Sequence, residues 1–272
     1  ATTLVKHADA AMYQAKAAGR NNYQFFAESM SSGYTERVAM EAHMHRAIQN
    51  DEFVLHYQPQ FSAAGRITGV EALIRWEDPV MGQVPPARFI PLAEETGLIT
   101  VIGEWVLHTA CRQLVDWRKR GAPPIRMSVN VAGPQIMRGN IVRTVSEVLE
   151  ETGLEAGALE LEVTETFVMD QIEQVVDKLS QLRALGVRIA IDDFGTGHSS
   201  LATLKRLPAD TLKIDRAFVR DIPDDENDMA IARAILAMGR QLGISTVAEG
   251  VETDAQRDFL RDEGCDLFQG FF

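Results

Sequence analysis

The chain has 272 residues, of which 46% are hydrophobic, enough to bury a full core in one large domain or in one domain plus a fragment. Its 39 acidic and 27 basic side chains give a net charge of −12, which excludes the basic surface that binds duplex nucleic acid. No apolar run reaches the length of a membrane span, and Cys111 and Cys265 form no CxxC motif. We therefore expect a cytoplasmic protein without a zinc site, although a longer parent could carry a membrane anchor upstream.

Residues 1–26 differ in pattern from the rest of the chain. The sequence predicts an Ala-rich helix from Ala8 to Gly19 and a strand from Arg20 to Phe26. One helix and one strand cannot enclose a core, so we interpret residues 1–26 as the C-terminal remnant of another domain. A polar linker, residues 27–35, then leads to a helix near residues 36–50 and to the main domain, residues 36–272.

Strand-like and helix-like segments alternate through the main domain. Glycine closes five helical segments just before the next strand, a repeat typical of βα units, at Gly121, Gly153, Gly186, Gly243 and Gly264. The eight predicted strands are 53–61, 67–76, 125–131, 159–164, 187–191, 211–214, 245–251 and 267–271. Their number favours an α/β fold of the TIM (β/α)₈ barrel type over a doubly wound open sheet. Because only Ser62–Arg66 joins the first two strands, we predict a modified barrel with an antiparallel first strand.

Polar residues mark the ends of seven of these strands, where apolar residues would pack better. They are Glu71, Asn130, Glu162, the pair Asp192 and Asp193, Lys213, Glu249 and Gln269. Strand alternation puts Asn130, Glu162 and Lys213 opposite their apolar neighbours, on the face that points into a barrel, and barrel enzymes carry their active sites at the carboxyl ends of the strands. The alternative is a salt-bridged core in which Lys213 pairs with Asp215 or Glu249. We favour one shared site, because unpaired buried acids cost on the order of several kcal/mol each.

The acidic and amide members of this set offer only oxygen ligands, which suit Mg²⁺, Mn²⁺ or Ca²⁺. They carry more charge than one divalent ion needs, so Asp192 could bridge two ions, the usual apparatus for phosphodiester hydrolysis. Lys213 would then position the attacking water or neutralise developing charge. Asp192 and Asp193 can serve one site only if the strand breaks there, and Gly195 and Gly197 permit that break.

These motifs resemble the EAL family of cyclic di-GMP phosphodiesterases over residues 36–272. The matching motifs include Glu71-Ala-Leu73, which names the family, Glu162-Val-Thr-Glu165, Asp192-Asp-Phe-Gly-Thr-Gly197, Leu212-Lys-Ile-Asp215 and Gln269-Gly270. Residues 8–23 resemble the last helix and strand of a GGDEF, or diguanylate cyclase, domain without its signature. Two features depart from the EAL pattern: His198 stands where the family usually has Tyr, and the chain stops at Phe272 where family members continue with a short segment.

The resemblance implies hydrolysis of cyclic di-GMP to linear pGpG, dependent on two Mg²⁺ or Mn²⁺ ions and inhibited by Ca²⁺. One ion would be held by Glu71, Asn130, Glu162 and Asp192, and the second by Asp192, Asp193 and Glu249. Lys213 would hold the nucleophilic water, Gln269 would orient a metal-bound water or the site base, and Glu165 would steady the loop from Asp193 to Ser200. The catalytic set is thus Lys213, Glu249, Gln269 and Glu165. Gln58 and Arg75 would contact guanine and phosphate, and Leu73 and Asp215 complete the predicted ligand-binding set.

Two other functions remain open at this stage. The EAL family includes catalytically inactive cyclic di-GMP receptors, which typically lose one or more of the acids or the loop motif, and none of these is lost here. General barrel chemistry also allows a metal-dependent lyase or isomerase, but the strands offer no clear second lysine or histidine base. We further expect a homodimer that uses the loop after Asp193, and GGDEF or sensory domains upstream in the full-length protein.

Overall fold

The computed structural model describes residues 22–197 and 201–271, together with Leu4, Val5, His7, Ala8, Ala11 and Met12. In the predicted helix from Ala8 to Gly19, Ala8, Ala11 and Met12 are helical, and the other positions lie outside the described residues. The predicted strand is wrong for residues 22–26, which have no regular secondary structure. A strand requires a hydrogen-bonded neighbour, and none of the strand pairings in the described part of the chain includes these residues. The division into residues 1–26, 27–35 and 36–272 stays a prediction.

The chain forms two compact units, residues 1–54 with 75–98 and residues 55–74 with 99–272. Strands β1 (Phe53–Ser62) and β2 (Ile67–Asp78) contribute residues to both. The first unit also contains α1 (Glu28–Gln49), β3 (Gly82–Val84) and α2 (Pro86–Thr96). Helix α1 begins at Glu28, so residues predicted as linker are helical, and the short β3, which the sequence did not predict, pairs with the end of β2.

The second unit contains the remaining elements. In chain order these are α3 (Ile99–Lys119), β4 (Arg126–Asn130), α4 (Gly133–Met137), α5 (Ile141–Thr152), β5 (Leu159–Thr164), α6 (Glu165–Asp170), α7 (Ile172–Ala184), β6 (Arg188–Phe194), α8 (Leu201–Leu204), β7 (Thr211–Ile214), α9 (Glu226–Leu242), β8 (Ser245–Val251), α10 (Asp254–Asp262) and β9 (Leu267–Gly270). Short 3₁₀ turns precede β5 at Ala156–Ala158 and follow β7 at Arg216–Phe218.

The strands of the second unit close into the predicted barrel. Strands β2 and β4 to β9 run parallel in the order β2-β4-β5-β6-β7-β8-β9, β1 pairs antiparallel with β9, and a β1–β2 pairing completes the ring of eight. The turn at Ser62–Arg66 is closed by a hydrogen bond from the Ser62 amide to the Arg66 carbonyl. The modified barrel with an antiparallel first strand is thus confirmed.

Glycine ends the helical segments as predicted. All five of the expected glycines have positive φ, between 67° at Gly243 and 95° at Gly186, a backbone conformation that other residues adopt only at a cost. Each one therefore turns the chain from a helix or turn into the following barrel strand.

The apolar and polar positions of the strands separate as alternation predicts. Val129, Leu161 and Leu212 are buried among the core side chains of the second unit. The intervening polar residues contact one another across the barrel, so the barrel interior is a layered polar core. Among the described residues, no helix has both the length and the hydropathy required to cross a membrane.

Candidate active site

Lys213 lies at the centre of the polar interior. Its Nζ contacts four carboxylates from four other strands, at 2.5 Å from Glu162, 2.7 Å from Glu249, 3.1 Å from Asp192 and 3.4 Å from Glu71. The side chain of Lys213 is 1% exposed. The pairing with Glu249 matches one arm of the salt-bridge alternative, but a single ammonium shared by four acids exceeds what a structural ion pair requires.

The charges of this cluster shift its pKa values strongly. Burial alone would lower the pKa of Lys213, but the carboxylates of Glu162, Glu71, Glu249 and Asp192 raise it well above its ordinary value. Lys213 is therefore a permanent cation at neutral pH.

The acids around Lys213 differ from one another in their environments. Burial, together with the charges of Glu71 and Asp192, raises the pKa of Glu162 well above its ordinary value despite the attraction of Lys213. Burial also raises the pKa of Glu249, to about 7. For Glu71, burial opposes ionisation but is outweighed by Lys213 and by hydrogen bonds from Gln269 and Asn130, so its pKa is lowered. With all four acids ionised, the cluster would carry more negative charge than Lys213 neutralises, and bound cations would favour that ionised form.

The adjacent acids reach one site because strand β6 bulges at Asp193. Asp193 has φ of 54°, and the β6–β7 register shifts between Ile191 and Phe194. The predicted break is confirmed, but it occurs at Asp193 itself, before Gly195. This turn lets both carboxylates face the same region instead of opposite sides of the strand.

A second irregularity, at Gly250, places Glu249 beside this pair. The β8–β9 register shifts between Glu249 and Val251, and Gly250 has φ of 65°. One carboxylate oxygen from each of Asp192, Asp193 and Glu249 lies within 4.8 Å of the others. These are the three acids predicted to hold the second ion. Burial, followed by the charge of Asp192 and hydrogen bonding with Asp215, raises the pKa of Asp193 to about 6.

Glu71 also accepts hydrogen bonds from side-chain amides, which are linked to one another. Asn130 Nδ2 donates to Glu71 Oε1 at 2.6 Å, and Gln269 Nε2 donates to Glu71 Oε2 at 2.5 Å. Gln269 also contacts Gln58 Oε1 at 3.2 Å and accepts from Gln60 Nε2 at 3.0 Å. Gln60 is fully buried, and the sequence analysis missed it. In the sequence, Gln60 is only a polar residue at an inward position of an alternating strand. That pattern does not distinguish it from a solvent-exposed strand residue.

Glu165 supports the loop that follows β6. It is the first residue of α6, is fully buried, and its Oε2 accepts from the Gly195 amide at 2.7 Å. A Cβ atom at Gly197 would lie 2.8 Å from Glu165 Oε1, so the loop backbone passes directly over this carboxylate. The placement fits the predicted loop-steadying role as far as Gly197, while His198 and Ser200 lie outside the described residues.

A deeper layer of the barrel is structural. Glu160 Oε2 accepts from Thr211 Oγ1 at 2.8 Å and from Arg188 Nε at 3.2 Å, and Ser128 Oγ donates to Glu160 Oε1 at 3.3 Å. Glu160, Ser128 and Thr211 lie one inward position before the site residues of their strands, and Arg188 lies two inward positions before Asp192. A single acid with three donors needs no metal, so this layer closes the floor of the site.

Comparison with known proteins assigns the chain to a family. The model of the EAL domain matches residues 41–272, which include every residue of the cluster around Lys213. This chain belongs to the EAL domain family.

Characterised relatives share this EAL domain as part of longer proteins. The chain is 46% identical over 269 residues to the cyclic di-GMP phosphodiesterase NbdA and 48% identical over 269 residues to the bifunctional diguanylate cyclase/cyclic di-GMP phosphodiesterase MucR, both of Pseudomonas aeruginosa. Each match covers 98% of this chain but only 34% and 39% of those proteins, so the chain spans a little over a third of their length.

Solved structures of EAL domains have the same architecture. The PaMucR phosphodiesterase in complex with c-di-GMP is 47% identical with a TM-score of 0.83, covering 86% of this chain and 95% of that one. The EAL domain of Mycobacterium smegmatis DcpA is 39% identical with a TM-score of 0.69, covering 80% of this chain and 90% of that one.

The donor set of this EAL domain fits divalent cations. Its acids and Asn130 provide hard oxygen ligands, and buried Glu162 Oε1 has no hydrogen-bond partner among the described residues. An unpaired buried carboxylate oxygen costs free energy unless something binds it. The structure therefore favours divalent metal binding by this cluster, and the identity of the ions stays a prediction.

The predicted ligand-binding residues have mixed outcomes. Gln58 and Leu73 are half-buried in the second unit, and Gln58 reaches the site through Gln269. Asp215 follows β7, where its Oδ1 accepts from the Ala217 amide at 2.7 Å, and it is near Asp193 rather than bound to Lys213. Arg75 belongs to the first unit, so its role at the site stays a prediction.

Proposed function

We propose that this EAL domain hydrolyses cyclic di-GMP to linear pGpG with Mg²⁺ or Mn²⁺ bound. The observation that carries the proposal is the convergence of the complete polar set at the carboxyl ends of the barrel strands, around Lys213. The c-di-GMP bound to the PaMucR phosphodiesterase, an EAL structure 47% identical to this chain, supports the choice of substrate.

Two divalent ions would supply Lewis-acid activation of the attacking water and neutralise the phosphodiester charge. One would be held by Glu71, Asn130, Glu162 and Asp192, and the other by Asp192, Asp193 and Glu249. The three carboxylate oxygens within 4.8 Å support the second set most directly.

The side chains of the chain would then orient the reactants. Lys213, a permanent cation, would hold the attacking water and stabilise negative charge on the phosphoryl oxygens. Gln269 would direct its amide toward Glu71 and thereby fix a ligand of the first ion, while Gln58, Leu73, Arg75 and Asp215 would bind the nucleotide. The water oxygen adds to phosphorus as the bond to the ribose 3′-oxygen breaks, and that oxygen takes up a proton, so the product carries a 5′-phosphate.

Product analysis tests the proposal. We expect purified protein with cyclic di-GMP and Mg²⁺ to yield pGpG on ion-exchange chromatography. We expect Glu71→Ala to lower turnover about 100-fold or more, because it removes a metal ligand that also binds Asn130 and Gln269. Glu147→Ala is the matched control, since Glu147 lies on α5 and pairs with Arg143 at an exposed position.

One result would contradict hydrolysis and another would contradict the assigned site. Tight binding of cyclic di-GMP without pGpG would support the receptor alternative, and turnover that persists in Glu71→Ala would exclude this cluster as the catalytic centre. In a parallel experiment, Ca²⁺ should support binding but inhibit turnover, because its longer bonds and looser geometry misplace the attacking water.

The proposals on assembly and location are separate from the chemistry. We propose that the domain forms a homodimer through the loop after β6, works in the cytoplasm, and is joined to GGDEF and sensory domains in its full-length protein. The relative MucR, a bifunctional diguanylate cyclase/cyclic di-GMP phosphodiesterase, supports the link to a cyclase domain. Light scattering of the purified domain, with and without substitutions at Thr196 in this loop, measures the dimer.

A further inference from the structure

The buried side-chain amide of Gln60, on β1, is linked to the candidate active site by hydrogen bonds. Its side chain has 0% exposure, and its Nε2 donates to Gln269 Oε1 at 3.0 Å. Gln269 in turn donates from Nε2 to Glu71 Oε2 at 2.5 Å. Gln60 thus stands at the start of a hydrogen-bond chain that ends on a proposed metal ligand.

The direction of this chain is fixed by its last member. Both oxygens of Glu71 accept from side-chain amides, Oε1 from Asn130 Nδ2 and Oε2 from Gln269 Nε2, and a carboxylate that serves as a metal ligand can only accept hydrogen bonds. Gln269 must therefore present its nitrogen to Glu71 and its oxygen to Gln60. Only a donor at position 60 is compatible with that orientation.

Burial of Gln60 between β1 and β2 leaves one of its polar atoms without a hydrogen-bond partner among the described residues. Its Oε1 is buried without a hydrogen-bond partner among the described residues, and an unpaired buried acceptor costs about 1–3 kcal/mol. Gly69 of β2 lies beside it, and a Cβ atom there would come within 2.7 Å of Gln60 Oε1. An apolar residue at position 60 would leave no unpaired acceptor. The presence of an amide is therefore explained by the hydrogen bond that its Nε2 donates to Gln269.

We propose that Gln60 is a positioning residue of this EAL active site, which holds the Gln269 amide in the orientation that directs Nε2 toward Glu71. Gln60 acts through Gln269 and does not touch the reacting atoms. The inference rests on the proposed hydrolysis for its kinetic consequences, whereas the orientation of Gln269 can be measured without turnover.

Two substitutions at position 60 distinguish the loss of the hydrogen-bond donor from a change in side-chain volume. Gln60→Met removes the amide at similar length, and Gln60→Glu keeps the shape but replaces the donating nitrogen with an oxygen. We expect kcat to fall about tenfold in Gln60→Met, the loss of one hydrogen bond, and further in Gln60→Glu, with KM changed less than kcat. Gly69→Ala, which retains Gln60 but crowds its amide, should lower kcat in the same direction.

A second buried glutamine controls for simple destabilisation. Gln256 of α10 accepts from the Glu252 and Thr253 amides and donates to the Arg220 carbonyl, and none of these partners belongs to the cluster around Lys213. We expect Gln256→Met to lower the melting temperature without changing kcat below it. Equal kcat losses in Gln60→Met and Gln256→Met would overturn the positioning role.

Side-chain amide NMR provides the readout that does not depend on catalysis. The Gln269 NH₂ signal is assigned by its loss in Gln269→Met, and we expect Gln60→Met to move it toward the position of solvent-exposed glutamines. An unchanged signal overturns the inference. If wild-type protein makes no pGpG while this signal responds to Gln60→Met, the proposed function fails and the orientation by Gln60 stands.

Discussion

At the scale of single residues, Lys213 shows how this site balances charge. One buried ammonium faces four carboxylates, more than it could neutralise if all four were ionised. Removing one partner of a buried ion pair is costly because the remaining charge stays buried. Lys213 therefore serves both the proposed chemistry and the integrity of the metal-free site.

We predict that Lys213→Ala separates these two roles. Turnover should fall about 100-fold, as for the loss of one charge-stabilising group, while the affinity for cyclic di-GMP with Ca²⁺ changes little. Without metal, the unfolding free energy should drop by about 3–5 kcal/mol, and Mg²⁺ should restore part of it by replacing the lost positive charge. Denaturant melts with and without Mg²⁺ measure this.

Lys119→Ala is the control for Lys213→Ala, because Lys119 is exposed and contacts only Asp116 among the ion pairs of the described residues. A Lys213→Ala protein with unchanged stability and no added response to Mg²⁺ would show that the four acids do not depend on this ammonium.

At the scale of secondary structure elements, the bulge of β6 brings two neighbouring acids into one site. Asp193 adopts a left-handed backbone that costs most residues about 1 kcal/mol, but that Asn and Asp tolerate. We predict that Asp193→Asn retains its stability while Asp193→Ala is less stable by about 1 kcal/mol. Both should lose metal-dependent turnover, because both lack the carboxylate. Urea unfolding of the two variants makes the comparison, and equal midpoints would argue against backbone strain at this position.

The loop after β6 depends on an acid from a neighbouring element. Glu165 of α6 accepts from the Gly195 amide, so removal of its carboxylate frees the segment that follows Asp193. We predict that Glu165→Ala lowers kcat about tenfold and that Glu165→Gln, which keeps an accepting oxygen, lowers it less. Hydrogen exchange at the Gly195 amide should accelerate in Glu165→Ala. Unchanged exchange in that variant would show that other contacts hold the loop.

The sequence predicts regular elements well and local exceptions less well. The eight barrel strands follow from alternation and from glycines such as Gly153 and Gly186, because each of these signals lies within one element. Strand β3 has only three residues, too few to show a period. The strand expected at Arg20–Phe26 depends on a partner strand, which local pattern cannot supply.

Some residues of the candidate site could be predicted from the sequence and others could not. Acids at strand ends are visible in the sequence because buried charge is unusual, so Glu71, Glu162 and Asp192 could be named. Gln60 could not, since an amide on an alternating strand is ordinary until its neighbours across the barrel are known. The position of the bulge at Asp193 likewise follows from tertiary pairing, although the nearby glycines indicated that a break was possible.

At the scale of the whole molecule, two buried thiols link the barrel's folding to pH. Cys111 of α3 and Cys265, just before β9, are free and buried, and burial raises the pKa of each to about 12. In the unfolded chain a cysteine thiol has a pKa of about 8.5. Above that pH the unfolded state loses protons that the folded state keeps, so stability falls as pH rises toward the folded pKa.

We therefore predict that alkaline pH weakens the fold in part through these cysteines. Each thiol can contribute a loss of up to about 1.4 kcal/mol per pH unit across this window, and almost none below pH 8 (roughly the lower edge set by the unfolded pKa). Urea midpoints measured from about pH 7 to pH 11 should fall more steeply in the wild-type protein than in Cys111→Ala with Cys265→Ala. The pH 7 midpoints correct for the small cavities that the alanines leave. Parallel curves for the two proteins would show that the thiols ionise alike in both states and that burial does not keep them protonated. Converging curves would show that the buried thiols of Cys111 and Cys265 set part of the loss of barrel stability at alkaline pH.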